Sequence, residues 1–83
     1  MSRGEIVEKV VDYVVKQIVD EPDSVTMEMI EEGDDTIVAE VKTAKPDMGR
    51  VIGRRGRVAR AIRTVAQAAG DEEGVRADVE FLD

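Results

Sequence analysis

Apolar residues in the first twenty positions recur at the spacing of an α-helix. They occupy positions 6, 7, 10, 11, 14 and 18 as Ile6, Val7, Val10, Val11, Val14 and Ile18. This three-and-four spacing predicts an amphipathic helix from about residue 3 to residue 20. Ser2, with Glu5 three positions later, fits a capping box at its start, and Pro22 and the acids around it end it.

From Val25 onward, apolar residues recur at every second position instead of at every third or fourth. Val25, Met27 and Met29 alternate with polar residues, and so do Ile37, Ala39 and Val41. Alternation of this kind predicts two β-strands. The acids in residues 31–35 are candidate metal ligands, but they lack the spacing of a calcium loop, so a hairpin turn around Gly33 is the better interpretation.

The second half of the chain predicts two helices and a last strand. Pro46 and Asp47 end the second strand, a short helix follows at residues 48–52, and residues 53–56 interrupt it. A longer helix is expected from about residue 57 to residue 69, with Gly70 as its stop and a polar loop at residues 71–74. Its predicted buried residues are Val58, Ala61, Ile62, Val65 and Ala69. Val75, Ala77, Val79 and Phe81 then alternate as one face of a strand.

These elements predict an α+β fold of two layers in the order α-β-β-α-α-β. Three strands would form one sheet covered by helices on one face. The length of 83 residues allows one core, so residues 1–83 are expected to form a single domain. No apolar run approaches the roughly 20 residues that cross a bilayer, and the charged N-terminus is unlike a signal peptide, so we expect a cytoplasmic protein that does not enter membranes.

Composition argues against catalysis. The chain has neither histidine nor cysteine, which removes catalytic triads, cysteine nucleophiles and the common zinc sites. The remaining acids, lysines and hydroxyls show no spacing that suggests an active site. We therefore expect a protein that is not an enzyme and holds no cofactor or metal.

The charges are divided unevenly along the chain. Residues 45–63 carry seven basic side chains and one acid, a net charge of +6, whereas the other 64 residues carry five basic and 18 acidic side chains, a net charge of −13. Solvent exposure alone explains many charged helix faces. Six arginines in one segment of an acidic protein are better explained by a site for an anion.

Two glycines lie within this basic segment, at positions 53 and 56, and enclose Arg54 and Arg55. Glycine lets the backbone turn tightly and approach a phosphodiester, and the following helix begins with its positive dipole end at the same place. The alternative is that Gly53 and Gly56 only allow two packed helices to turn. The concentration of positive charge favours a clamp for a sugar-phosphate chain.

This segment resembles a known family. Val51-Ile52-Gly53-Arg54-Arg55-Gly56, followed by an arginine-rich helix, is similar to the (I/V)IGxxG motif of the KH domain, and the element order resembles the bacterial type II arrangement. Residues 45–50 before the motif and 62–65 after it are similar to the small bacterial KH-domain RNA-binding proteins called KhpA.

The resemblance implies a function and a set of binding residues. Gly53, Arg54, Arg55 and Gly56 would clamp the backbone of about four nucleotides, and bases would lie in an apolar groove partly lined by Val51 and Ile52. The positive track would be extended by Arg50, Arg57, Arg60 and Arg63. The implied roles are RNA chaperoning, post-transcriptional control and regulation of cell elongation and division.

The resemblance also implies partners: single-stranded RNA, a second copy in a homodimer, and a larger KH and R3H-domain protein of the Jag or KhpB type. Two alternatives stay open at this point. The chain could act chiefly as a dimerisation or scaffold subunit whose partner supplies most of the RNA contacts, and a backbone clamp could also accept single-stranded DNA.

Overall fold

The computed structural model describes residues 3–82. Three α-helices and three strands follow one another in the order α-β-β-α-α-β, which confirms the predicted order and fold class. The elements are α1 (Glu5–Ile18), β1 (Thr26–Glu32), β2 (Thr36–Lys42), α2 (Met48–Ile52), α3 (Arg57–Glu73) and β3 (Arg76–Leu82).

The three strands form one mixed sheet with β2 in the centre. β1 and β2 are antiparallel and are joined by the predicted hairpin turn, in which Gly33 has φ of 66°. β2 and β3 are parallel, and α2 and α3 form the connection between them. The register places Met29, Ala39 and Val79 side by side in one row.

α1 and α3 cover the face of the sheet that carries this row. Val7, Val11 and Val15 of α1 are buried in the same core as Ile62 and Ala66 of α3, and the sheet contributes Ile37, Ala39, Val41, Ala77 and Val79. Each fully buried valine or isoleucine contributes about 1.5–3 kcal/mol relative to exposure, so this stripe outweighs the low helix propensity of the valines in α1.

The opposite face of the sheet is largely polar. Glu28, Glu40 and Glu80 are direct neighbours in the register across β1, β2 and β3. Like charges in such positions destabilise a sheet. Contact with water reduces the repulsion, because Glu28 and Glu80 are exposed and Glu40 is partly exposed. The sheet therefore has one helix-covered face and one acidic face.

The N-terminus of α1 differs from the prediction. α1 begins at Glu5, with Gly4 as the residue before it, and the predicted capping residue Ser2 lies outside the described residues. The carboxylate of Glu73, at the far end of α3, accepts hydrogen bonds from the backbone N–H groups of Gly4 at 3.1 Å and Val7 at 3.0 Å. A distant residue therefore occupies the place of a local cap, and its negative charge complements the helix dipole.

The end of α3 was predicted wrongly. The helix continues through Gly70 to Glu73 and ends at Gly74, so residues 71–73 are helical and do not form a loop. Gly70 is buried, and a Cβ atom there would lie 2.7 Å from the backbone oxygen of Val75. Gly70 therefore allows α3 and the start of β3 to pack closely and does not stop the helix.

The buried face of α3 is also rotated from the predicted one. Ala59, Ile62, Ala66 and Ala69 are buried, whereas Ala61 is exposed and Val65 is 42% exposed. Predicting Ala61 and Val65 as core residues was wrong, because the face of α3 that is buried carries Ala59, Ala66 and Ala69. Ile62 and Ala69 are buried as predicted.

Two further findings concern residues 3–82 alone. No helix there is long and apolar enough to cross a membrane, and no group of three or more potential ligand side chains is arranged to hold a metal ion.

Candidate nucleic-acid interface

Residues 53–56, which we call the GxxG turn, join α2 to α3 through an unusual backbone path. Gly53 has φ of 75°, Arg55 has φ of 57° and Gly56 has φ of 72°. Arg55 is the only residue other than glycine with positive φ among residues 3–82. Residues other than glycine rarely adopt a positive φ, and they do so mostly where the surrounding structure enforces it.

The two glycines are required for different reasons. A Cβ atom at Gly53 would lie 2.4 Å from the Val58 Cγ2 atom and 2.8 Å from the Val58 backbone nitrogen. Gly53 therefore lets the turn pack against the first turn of α3. At Gly56 a Cβ atom would meet nothing within 4 Å, so that side of the turn is open to an approaching molecule.

The arginines nearest the turn are exposed. Arg54 and Arg55 are both accessible to solvent, as are Arg57 and Arg60 on α3. None of these four forms an ion pair with a carboxylate of residues 3–82. Four guanidinium groups are therefore available to an external anion around one turn.

The backbone of the turn is partly occupied by its own hydrogen bonds. The N–H of Gly53 donates to the oxygen of Gly49, that of Gly56 to the oxygen of Gly53, and that of Arg57 to the oxygen of Arg54. These bonds give the turn a defined shape. No side chain caps the N-terminus of α3, and its first turn holds no acid, so the positive end of the dipole faces outward.

Arg50 and Arg63 have partners within the fold. The Arg50 Nη2 atom lies 2.9 Å from a carboxylate oxygen of Asp20. The Arg63 Nε atom donates to the backbone oxygen of Val79 at 3.0 Å and lies 3.6 Å from the Asp78 carboxylate. Both arginines thus join distant segments, unlike the four unpaired ones.

The apolar pair before the turn is divided between core and surface. Val51 is fully buried, whereas Ile52 is partly exposed. The structure therefore places Ile52 at the surface beside the turn and Val51 beneath it. Any direct apolar contact with a ligand from this pair falls to Ile52.

Sequence reasoning missed the role of Asp47. Its side chain is 1% exposed, and its two carboxylate oxygens accept hydrogen bonds from the backbone N–H groups of Asp20 and Glu21, each at 3.0 Å. The sequence shows an acid after Pro46, which is typical of a helix start. Nothing in the local pattern indicates a partner 26 residues away.

Comparison with known proteins gives consistent matches over most of the chain. A family model described as KhpA/KhpB, KH domain, matches residues 8–81. The chain is 39% identical over 75 residues to the RNA-binding protein KhpA of Borreliella burgdorferi, covering 90% of each chain. It is 42% identical over 74 residues to the RNA-binding protein KhpA of Clostridium acetobutylicum, covering 89% of this chain and 97% of that protein.

A likeness in fold extends to a solved structure. The crystal structure of an Era variant from Aquifex aeolicus matches 92% of this chain with a TM-score of 0.71. The sequence identity is 16%, and the matched region is 30% of the Era chain. This likeness supports the α-β-β-α-α-β arrangement and concerns the fold alone.

Proposed function

The chain belongs to the KhpA/KhpB KH-domain family, and from this premise we propose that it binds single-stranded RNA without catalysing a reaction. The GxxG turn is the proposed clamp for the RNA backbone. The observation that carries the proposal is the exposure of Arg54 and Arg55 within this turn, without a carboxylate partner among residues 3–82.

The clamp works through close approach and charge. Because space around Gly56 is open, a phosphate can come near the backbone and the N-terminus of α3. Arg54 and Arg55 neutralise the phosphates on either side, and Arg57 and Arg60 continue the positive surface along α3. Ile52 provides apolar contact for an unstacked base.

The proposal also covers the location, the cellular role and the protein partners of the chain. We place it in the cytoplasm as an RNA chaperone or post-transcriptional regulator linked to cell elongation and division. Its proposed partners are a second copy of itself and a larger KH and R3H-domain protein of the KhpB or Jag type. One KH domain contacts few nucleotides, so binding by one copy is weak and improves when two copies are joined.

A second candidate function is that of a dimerisation or scaffold subunit with little RNA affinity of its own. Exposed apolar side chains favour it, because Tyr13 is 66% exposed, Val65 42% and Ile6 38%. They belong to α1 and α3, which pack against each other. A tight dimer of the pure protein that fails to bind RNA would favour this function over the first.

The clamp is tested by reversing its two charges. The double variant Arg54→Asp and Arg55→Asp should weaken binding to a short single-stranded RNA at least about tenfold in an anisotropy titration, because two phosphate contacts become repulsive. Aspartate tolerates the positive φ of Arg55, so the variant should stay folded by circular dichroism.

The matched control is Lys42→Asp with Arg76→Asp. It changes the net charge by the same amount, but both residues are exposed on the acidic face of the sheet. If the two double variants weaken binding equally, RNA responds to net charge and the clamp assignment fails. Matched RNA and DNA oligomers in the same titration determine whether the 2′-hydroxyl matters.

A further inference from the structure

One charged side chain among residues 3–82 is buried, and it lies directly before the helix that leads into the GxxG turn. This residue is Asp47, at 1% exposure. A buried carboxylate is costly unless it is fully hydrogen-bonded. Both of its oxygens are bonded to backbone N–H groups of the segment that follows α1.

Arg50, one turn further along α2, also connects α2 to the segment that follows α1. Its Nε atom lies 3.5 Å from Asp47, and its Nη2 atom lies 2.9 Å from Asp20. The segment at residues 20–21 is therefore joined to α2 by a carboxylate and by an arginine. The Asp47 side chain does not cap its own helix, so these contacts are tertiary.

α2 depends on such external contacts. It has five residues, which is too short to be stable alone. Its C-terminal end is fixed by the buried side chain of Val51 and by the packing of Gly53 against Val58. The contacts of Asp47 and Arg50 fix its N-terminal end. Both ends together determine where the GxxG turn lies relative to α3.

We infer that Asp47 is a positioning residue for the RNA clamp. It holds α2, and thereby the GxxG turn, in the arrangement that receives a phosphate chain, and it does not touch RNA. This inference rests on the proposed function. Arg50 belongs to the same device, because its guanidinium group is engaged by Asp20 and Asp47 while those of Arg54 and Arg55 are free of carboxylates within residues 3–82.

A positioning role and a purely electrostatic role of Asp47 predict opposite changes in RNA affinity when Asp47 is replaced. Asp47→Asn removes a negative charge, which by itself favours binding of a polyanion. It also places an amide N–H₂ against a backbone N–H donor, so one of the two hydrogen bonds is lost. If the arrangement that binds RNA falls to about a fifth of the population, the apparent Kd rises about fivefold.

Glu73→Gln is the matched control. Glu73 also accepts two backbone hydrogen bonds, at 3.1 and 3.0 Å, but from Gly4 and Val7 at the start of α1. The two variants lose the same charge and the same kind of contact. With both proteins folded, Asp47→Asn should bind the RNA about fivefold more weakly, whereas Glu73→Gln should bind it as the parent protein does.

Amide hydrogen exchange at Gly53 and Gly56 provides a second measurement, which does not need RNA. Both N–H groups are hydrogen-bonded within the α2 and turn segment, so loosening α2 accelerates their exchange. Faster exchange in Asp47→Asn but not in Glu73→Gln is expected. If Asp47→Asn does not fold, Asp20→Asn tests the Arg50 part of the same device. Asp20 is exposed, and its replacement removes one carboxylate partner of Arg50 while both backbone hydrogen bonds to Asp47 remain.

The outcomes are distinct. Equal RNA affinity in the parent and both variants, or equal weakening in both variants, overturns the positioning role, as does unchanged exchange at both glycines. If the parent protein binds no RNA, the proposed function fails, and exchange at Gly53 and Gly56 alone determines whether Asp47 holds the turn.

Discussion

The backbone oxygen of Val75 lies 2.7 Å from the position that a Cβ atom of Gly70 would occupy. A methyl group at residue 70 would also lie 3.1 Å from the Cβ atom of Ala77. Because the contact with Val75 is to backbone, it cannot be relieved by rotating a side chain. The packing of α3 on the start of β3 therefore depends on the absence of a side chain at Gly70.

Replacing Gly70 by alanine should consequently destabilise the protein, although alanine is the better helix former. Helix propensity alone predicts a gain of about 1 kcal/mol, whereas overpacking predicts a loss of about 1–3 kcal/mol in the free energy of unfolding. Urea denaturation measures the sign directly. Gly49→Ala is the control, because Gly49 is also helical but has no atom near its Cβ position, and this change should be neutral or stabilising.

The two glycines of the GxxG turn should differ in their tolerance of alanine. At Gly56 the cost is the left-handed conformation alone, about 1–2 kcal/mol. At Gly53, φ of 75° and ψ of 171° lie in a region essentially confined to glycine. The conformational cost is therefore larger and contact with Val58 adds to it, so Gly53→Ala should have the lower free energy of unfolding in a urea titration. Equal losses would show that the turn relaxes away from Val58.

RNA affinity should fall steeply with salt. Each phosphate neutralised on a single strand contributes about 0.7 to the slope of log K against log salt concentration. Arg54→Gln should therefore reduce that slope by about 0.7, measured by anisotropy titrations between low and moderate salt. Lys42→Gln, on the acidic face of the sheet, should leave the slope unchanged; an equal reduction there would place RNA on the sheet.

Self-association should depend on the exposed apolar side chains of α1 and α3. Val65→Glu inserts a charge into this surface and should shift a dimer towards monomer in analytical ultracentrifugation, because burying an unpaired carboxylate is costly. Gln67→Glu adds the same charge at a neighbouring exposed position of α3 and should preserve the dimer. If both variants associate like the parent protein, a different surface forms the contact.

Local periodicity identified most of the secondary structure. Val7 and Val11 of α1, the alternating residues of β2 and β3, and the short helix at residues 48–52 lie where the pattern predicted them. In α1, however, the fully buried Val15 was not in the predicted stripe, and Ile6, which was, is exposed. A helix or strand exposes the same face at fixed intervals, so the order of apolar residues reports which face is buried. The position of the GxxG turn between α2 and α3 follows from the same local information.

Local pattern was insufficient wherever a residue's role depends on a distant neighbour. Gly70 was expected to end a helix, but α3 continues to Glu73 and ends at the left-handed Gly74. The absence of a side chain at Gly70 instead makes room for Val75 and Ala77. Val65 was expected in the core, yet the face of α3 that carries Ala66 and Ala69 is the one buried there. Neither contact is encoded in the spacing of adjacent residues.

The amino-acid sequence by itself determined the elements, their order and the concentration of arginines around a glycine turn, because these depend on neighbours within a few positions. The tertiary structure alone decided which charged side chains have an ion-pair or hydrogen-bond partner within residues 3–82. Chain folding brings Asp47 to the end of α1, Glu73 to its beginning and Arg63 to β3, and it leaves Arg54 and Arg55 without a carboxylate among residues 3–82. Ion pairs and buried hydrogen bonds join atoms within a few ångströms in space, whatever their separation along the chain.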